Sequence, residues 1–258
     1  MDLSTLLFVC PLFFLAGLVD GIGGGGGLIS LPTYLLAGLP PHLAIGTSKL
    51  ASCMGKAASI CKFAKSGFVD WKLAPVPVIV SFVGSYVGAS IALAIAQQTF
   101  EIVLLVLLPI VAFFVLRKQN TDAAHVDMPY RKRVGILSSC AFVCNAYDGF
   151  YGPGSGTFLL LSFAKFAGLD IREAAAQTKV VNIAGAGMAL VTFALAGQVA
   201  WLLGITAGLF SLFGSYVGSM LVVNNGAKIV RPIILIVLAA LFIKTLWQYL
   251  LPMPRPSL

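Results

Sequence analysis

The chain has 258 residues, of which 59% are hydrophobic and 10% are charged. Ordinary soluble domains carry about 25% charged residues, so an apolar core inside a polar coat is excluded and an integral membrane chain is implied. The formal net charge of +8 would suit nucleic acid, but the basic residues gather in a few loops and loop edges, where basic excess acts as an orientation signal.

In chain order, the first apolar run predicts a helix over 3–20. Met1-Asp2-Leu3-Ser4-Thr5 has no Lys or Arg ahead of it, unlike a cleaved signal peptide, so this helix is expected to be retained. Asp20-Gly21 then leads into Gly23 to Gly27, and helical pieces follow over 28–38, 42–65, 71–96 and 100–116. A polar loop, 117–133, separates this set from a second one over 134–148, 156–168, 171–196, 199–223 and 228–251. A spanning helix needs about 20 apolar residues. The pieces 28–38 and 156–168 fall short, and each follows a glycine-rich break, so each reads as the second arm of a re-entrant hairpin.

The two sets are copies. From Gly24 to Gly88, a shift of 130 positions places Gly38 on Gly168, Lys49 on Lys179 and Trp71 on Trp201, and Gly84-Ser85-Tyr86-Val87-Gly88 recurs as Gly214-Ser215-Tyr216-Val217-Gly218. The chain therefore divides into a first repeat (1–116), a cytoplasmic loop (117–133) and a second repeat (134–258) within one membrane domain. Each repeat crosses a net three times, which inverts the second relative to the first. The fold class expected is an all-α polytopic membrane protein of two inverted repeats, each a re-entrant Gly-broken hairpin plus three transmembrane helices.

The charges agree with inversion. Arg117, Lys118, Arg131, Lys132 and Arg133 make the central loop cytoplasmic by the positive-inside rule. The 66–72 turn is flanked by Lys62, Lys65 and Lys72, while its counterpart near 196–200 has no charge. The turn near 97–99 is uncharged, and its counterpart carries Lys228 and Arg231. Both termini are expected outside. The Gly84xxxGly88 and Gly214xxxGly218 pairs are small-xxx-small patterns for close helix packing, with Tyr86 and Tyr216 as anchors between helices. Lys244 is expected to snorkel to the outer surface.

Duplicated, Gly-interrupted apolar segments mark secondary transporters, whose sites lie where the repeats meet. Bare backbone is tolerated inside a membrane only when buried in protein or lining a wet cavity. Each break also starts a short helix, whose free N–H groups and dipole favour an anion. Gly24, Gly25 and Gly26 in the first repeat, and Gly154, Ser155 and Gly156 in the second, are the candidate anion-binding backbone; turning a tight hairpin is the structural alternative. Pro153 and Ser155 stand where the first break has glycines, so the half-sites need not contribute equally.

Lys49 and Lys179 lie about two turns into the third helix of each repeat, in Thr47-Ser48-Lys49 and Gln177-Thr178-Lys179. An intramembrane lysine is costly and a functional candidate by default. With Ser48, Thr178, Ser52 and Asn182 as neutral donors, they form the second half of the candidate substrate site. Asp20 and Asp148 can pair with the lysines, cap the loop N–H groups or carry protons. Lys56 has Ala186 as its repeat counterpart, so any role for it is asymmetric.

Gly21, Gly23 and Gly26 satisfy a dinucleotide-binding pattern but lack its strand, amphipathic helix and later acidic residue. Cys10, Cys53, Cys61, Cys140 and Cys144 lie in apolar stretches and read as small buried hydrophobes; no metal site or other cofactor is expected. His42 and His125 sit in loops, and no nucleophile–base pair or carboxylate cluster is visible, which argues against an enzyme.

At these residues the chain resembles the TauE/SafE family of membrane transporters, which includes exporters of sulfite and organosulfonates. The resemblance covers nearly the full length. It rests on Asp20 with Gly23-Gly24-Gly25-Gly26-Gly27-Leu28 and Pro32, on Thr47-Ser48-Lys49-Leu50, on Tyr147-Asp148-Gly149-Phe150-Tyr151-Gly152-Pro153-Gly154-Ser155-Gly156, and on Thr178-Lys179-Val180-Val181-Asn182. It implies a carrier in the bacterial inner membrane for small, often sulfur-containing anions. The expected function is secondary transport of such an anion by alternating access, outward in direction, with the lipid bilayer as surroundings and proton coupling open. An anion channel using the same site as its filter is the alternative.

Overall fold

The computed structural model describes residues 3–100, 103 and 128–226. The loop segment 117–127 and the helix expected over 228–251 lie outside the described residues, as does the helix expected over 100–116 apart from Phe100 and Val103. The described chain is helical: α1 (Leu3–Gly23), α2 (Gly27–Leu36), α3 (Pro41–Lys65), α4 (Pro75–Ala94), α5 (Tyr130–Phe150), α6 (Ser155–Ala167), α7 (Ile171–Leu195) and α8 (Trp201–Asn225). The short pieces after the breaks are α2 and α6, as the sequence predicts. One boundary differs: α5 starts at Tyr130 behind Pro129, so Arg131, Lys132 and Arg133 form its first turn instead of ending a loop.

Four of these helices, α1, α4, α7 and α8, are long and apolar enough to cross a membrane. α3 has 25 residues but carries Lys49, Lys56, Lys62 and Lys65, and its length is usable in a bilayer only if those charges are held by protein. Ile79, Val83, Leu202 and Phe213 are exposed on the outer surface, as a lipid-facing coat requires. Tyr86 and Tyr216 are exposed as well, so they face outward and do not anchor helices to one another. The cysteines are not uniformly buried either: Cys10 is, whereas Cys61 is exposed.

Helix directions follow from the contacts. Gly17 and Gly21 of α1 meet Ser211 and Ser215 of α8 in the same order, so these helices are parallel. α3 joins them: the Ala200 N–H donates to Thr47 Oγ1 at 3.0 Å near one end of α3, and Ser59 Oγ to the Ser215 carbonyl at 3.4 Å near the other. On the other side, Gly84 and Gly88 of α4 meet Phe142 and Ala146 of α5. Ser81 and Ser85 of α4 donate to the Val181 and Gly185 carbonyls of α7 at 2.9 and 2.6 Å. α3 and α4 are joined at one end by residues 66–74, and at the other His42 Nε2 hydrogen-bonds the Ala92 carbonyl at 2.9 Å. Thus α1, α3 and α8 run one way, and α4, α5 and α7 run the other.

The helices group into two bodies, and neither is a repeat. α1, α2, α3 and α8 pack together, as do α4, α5, α6 and α7, and the two groups share a broad contact in which α7 lies on α3 as extensively as on α4. Each repeat therefore lends its fourth helix to the other. Within a body the seams are close and lined by small residues: a Cβ on Gly88 would collide with α5, and one on Gly218 with α1. Between the bodies, α3 lies on α7, and α1 touches α6.

Two apolar cores sit at opposite ends of the molecule. One includes Phe13, Tyr34, Ile45, Phe100, Phe193 and Leu203; the other includes Ile22, Phe63, Leu137, Leu160, Phe163 and Val222. Buried polar groups, including Asp20, Lys49, Lys56, Asp148, Lys179 and Asn182, occupy the level between them.

Candidate functional site

The site begins with the two breaks. α1 ends at Gly23, and Gly24 turns the chain with φ +76°; Gly152 and Gly154 turn it after α5 with φ +104° and +81°. Only glycine adopts this region without strain. Gly24 and Gly156 also lie back to back, so a Cβ on either would run into the other's main chain. Thr157 Oγ1 donates to the Gly23 carbonyl at 2.8 Å, tying the second break to the first. The breaks cross in contact between the apolar cores, and the glycines serve both a turn and a close approach.

Each lysine is held by the aspartate of the opposite repeat. Lys49 Nζ lies 2.8 Å from Asp148 Oδ2 and also donates to the Asp148 main-chain carbonyl. Lys179 Nζ lies 3.1 Å from Asp20 Oδ2 and donates to the Asp20 carbonyl. A helix end leaves carbonyls without intrahelical partners and carries partial negative charge. At α5 the Lys49 ammonium takes both the carboxylate and a late carbonyl and so fixes the broken end; at α1 the Asp20 carbonyl also accepts from the Gly24 N–H at 2.9 Å, and Lys179 adds a second bond to it. Ser155 Oγ donates to Asp148 Oδ1 as well. Both pairs bridge the two bodies.

A small cavity of about 30 Å³ opens beside these pairs, room for about two waters before anything around it moves. Of the residues singled out in the sequence, Gly24, Gly26, Ser48, Lys49, Ser52, Ser155, Asn182, Asp20 and Asp148 line it. Lys179, Thr178, Gly25, Gly154 and Gly156 do not; they stand behind the lining. The arrangement is thus unequal despite the repeat, with the first repeat's lysine at the cavity and the second's behind it.

Among the other lining residues are Lys56, for which the sequence left an asymmetric role open, and Tyr151. Lys56 is 3% exposed, lines the cavity, and donates to Asn182 Oδ1 at 3.0 Å. Its lack of a repeat counterpart makes its role asymmetric, and its step of two turns from Lys49 puts both on one face of α3. Tyr151 is 2% exposed, and its hydroxyl has no hydrogen-bond partner among the described residues. It stands opposite glycine in the first break, so repeat matching passes over it. No group of His, Cys, Asp and Glu suited to a metal occurs among the described residues.

The family model for the sulfite exporter TauE/SafE matches residues 9–245. The chain is 34% identical over 95% of its length to the "Probable membrane transporter protein ORF9" of Sinorhizobium sp, 92% of which is covered. It is 30% identical, again over 95% of its length, to the "Probable membrane transporter protein YfcA" of Escherichia coli K12, with 90% of that protein covered. It is 31% identical over 92% of its length to a "Probable membrane transporter protein" of Haemophilus influenzae, 91% of which is covered. No solved structure matches the chain. With its apolar helices, its buried charged layer and these relatives, the chain is a multi-pass membrane transporter and belongs to the TauE/SafE family.

Proposed function

We propose that this transporter is a secondary carrier of a small anion, with sulfite or a short organosulfonate as the leading substrate class, built from two inverted repeats and working by alternating access. The observation that carries the reading is the cavity between the crossing breaks, lined by Lys49, Lys56 and neutral donors and lying on the boundary between two bodies. Opposed directions of α1 and α5, α3 and α7, and α4 and α8 support inversion. The units taken to move are the two helix groups rather than the repeats, because the lysine–aspartate pairs join one group to the other while the glycine seams lie within each.

The apolar cores at both ends favour a carrier over a channel, since an open filter would need a continuous wet path. The basic residues at the α3–α4 turn and the start of α5 support a cytoplasmic side for those ends by the positive-inside rule, and the family resemblance supports a bacterial inner membrane and outward transport. Asp20 and Asp148 are the groups able to couple protons, by releasing their lysines when protonated.

The test is flux of sulfite, isethionate, taurine, thiosulfate and sulfate into liposomes containing the purified chain, with and without a pH gradient. Saturable flux of one sulfur oxyanion, accelerated by the same anion on the far side, is expected. Conductance without saturation would make the protein a channel. Absence of flux for every anion would sink the substrate class.

A further inference from the structure

Among the described residues of the buried layer, three ammonium groups (Lys49, Lys56 and Lys179) face two carboxylates (Asp20 and Asp148). Each carboxylate is taken by one lysine, which leaves Lys56. Its hydrogen-bond partner is the neutral Asn182 Oδ1 at 3.0 Å. A buried charge is tolerated when it is paired and hydrogen-bonded, and among the described residues one negative charge is missing here. The surroundings are already fitted for one. Ser52 lies between Lys49 and Lys56 on the same face of α3, and across the cavity the Tyr151 hydroxyl is buried without a partner among the described residues.

We infer that Lys56 is the residue that holds the transported anion, and that the ligand is a monovalent oxyanion, one negative charge completing the layer. This deepens the anion-carrier reading and rests on it. A monoanion gives a neutral loaded site, whereas a dianion would leave an uncompensated negative charge between the apolar cores. Ser52 Oγ and Tyr151 Oη supply the hydrogen bonds that oxygen atoms accept. Lys49 and Lys179 then act by fixing the breaks, while Lys56 meets the substrate.

The experiment uses two probes of fixed charge, methanesulfonate (one negative charge) and sulfate (two), on the full-length chain. In detergent, methanesulfonate should raise the melting temperature of the wild type, as a ligand of the folded state does, and sulfate at equal ionic strength should not. Lys56→Gln should melt no lower than wild type without ligand, because it removes an unbalanced charge, and methanesulfonate should leave its melting temperature unchanged. In liposomes its methanesulfonate flux should fall roughly 30-fold or more, the usual scale for losing one partner of a buried charge pair. Lys56→Arg, which keeps the charge, should retain binding.

A Lys56→Gln protein that binds and moves methanesulfonate as the wild type does would overturn the inference and leave the carrier reading intact. So would a wild type that prefers sulfate. A Lys56→Gln protein too unstable to purify would make Lys56 a structural cation and overturn it too. A wild type that neither binds nor moves any of the anions would take down the carrier reading with it.

Discussion

Lys49 and Lys179 look alike in the sequence and differ in place: one lines the cavity, and the other stands behind it. Both hold an aspartate whose carboxylate has little water to turn to. Lys49→Met is expected to lower stability by about 3–5 kcal/mol, since it strands the buried charge of Asp148. Adding Asp148→Asn should recover most of that loss, and a double-mutant cycle in thermal or denaturant unfolding measures it. The sequence singles out both lysines and both aspartates but cannot say which takes which, because the partners are 99 and 159 residues apart. The glycines offer a second comparison. Gly38 has φ +87° and open space around it, whereas Gly24 has φ +76° and the Gly156 main chain against it. Gly38→Ala should cost about 1–2 kcal/mol for the left-handed backbone alone and keep its flux. Gly24→Ala should lose folded protein, read as monodisperse yield after detergent extraction.

Among elements, the described helices begin and end within about four residues of the sequence expectation, because glycine and proline punctuate nearly every boundary. The exception with consequence is α5, where a basic run reads as loop although a helix start behind proline tolerates it. The small-residue seams were legible as a motif, and their partners were not. Gly88 faces α5 and Gly218 faces α1, pairings that cross the repeat boundary and leave no local trace. Gly88→Leu should push α4 from α5 and reduce both stability and flux. Gly187, in the middle of α7 with nothing within 4 Å of an added Cβ, should behave oppositely. Gly187→Ala is expected to raise stability by up to about 1 kcal/mol through helix propensity, a gain that the unfolding midpoint reports.

For the whole molecule, the exchange of α4 and α8 between repeats is the feature that sequence symmetry hides. The 130-residue shift shows two copies, which suggests two lobes, but packing assembles each body from both copies. A cysteine pair at Thr47 and Ala200 links helices of one body and should leave transport intact once oxidised. A pair at His42 and Ala92 links the two bodies at one end and should stop it, with reduction restoring the flux. The crossed lysine–aspartate pairs also govern how the chain is made. The ribosome delivers α3, with its lysines, well before Asp148 and Asn182 exist, and those partners lie 99 and 126 residues downstream of Lys49 and Lys56. Each lysine costs about 2.5–3.5 kcal/mol at the centre of a helix entering the bilayer alone. During synthesis α3 must therefore wait, loosely seated or still beside the translocon, until the second repeat arrives with the charges that settle it.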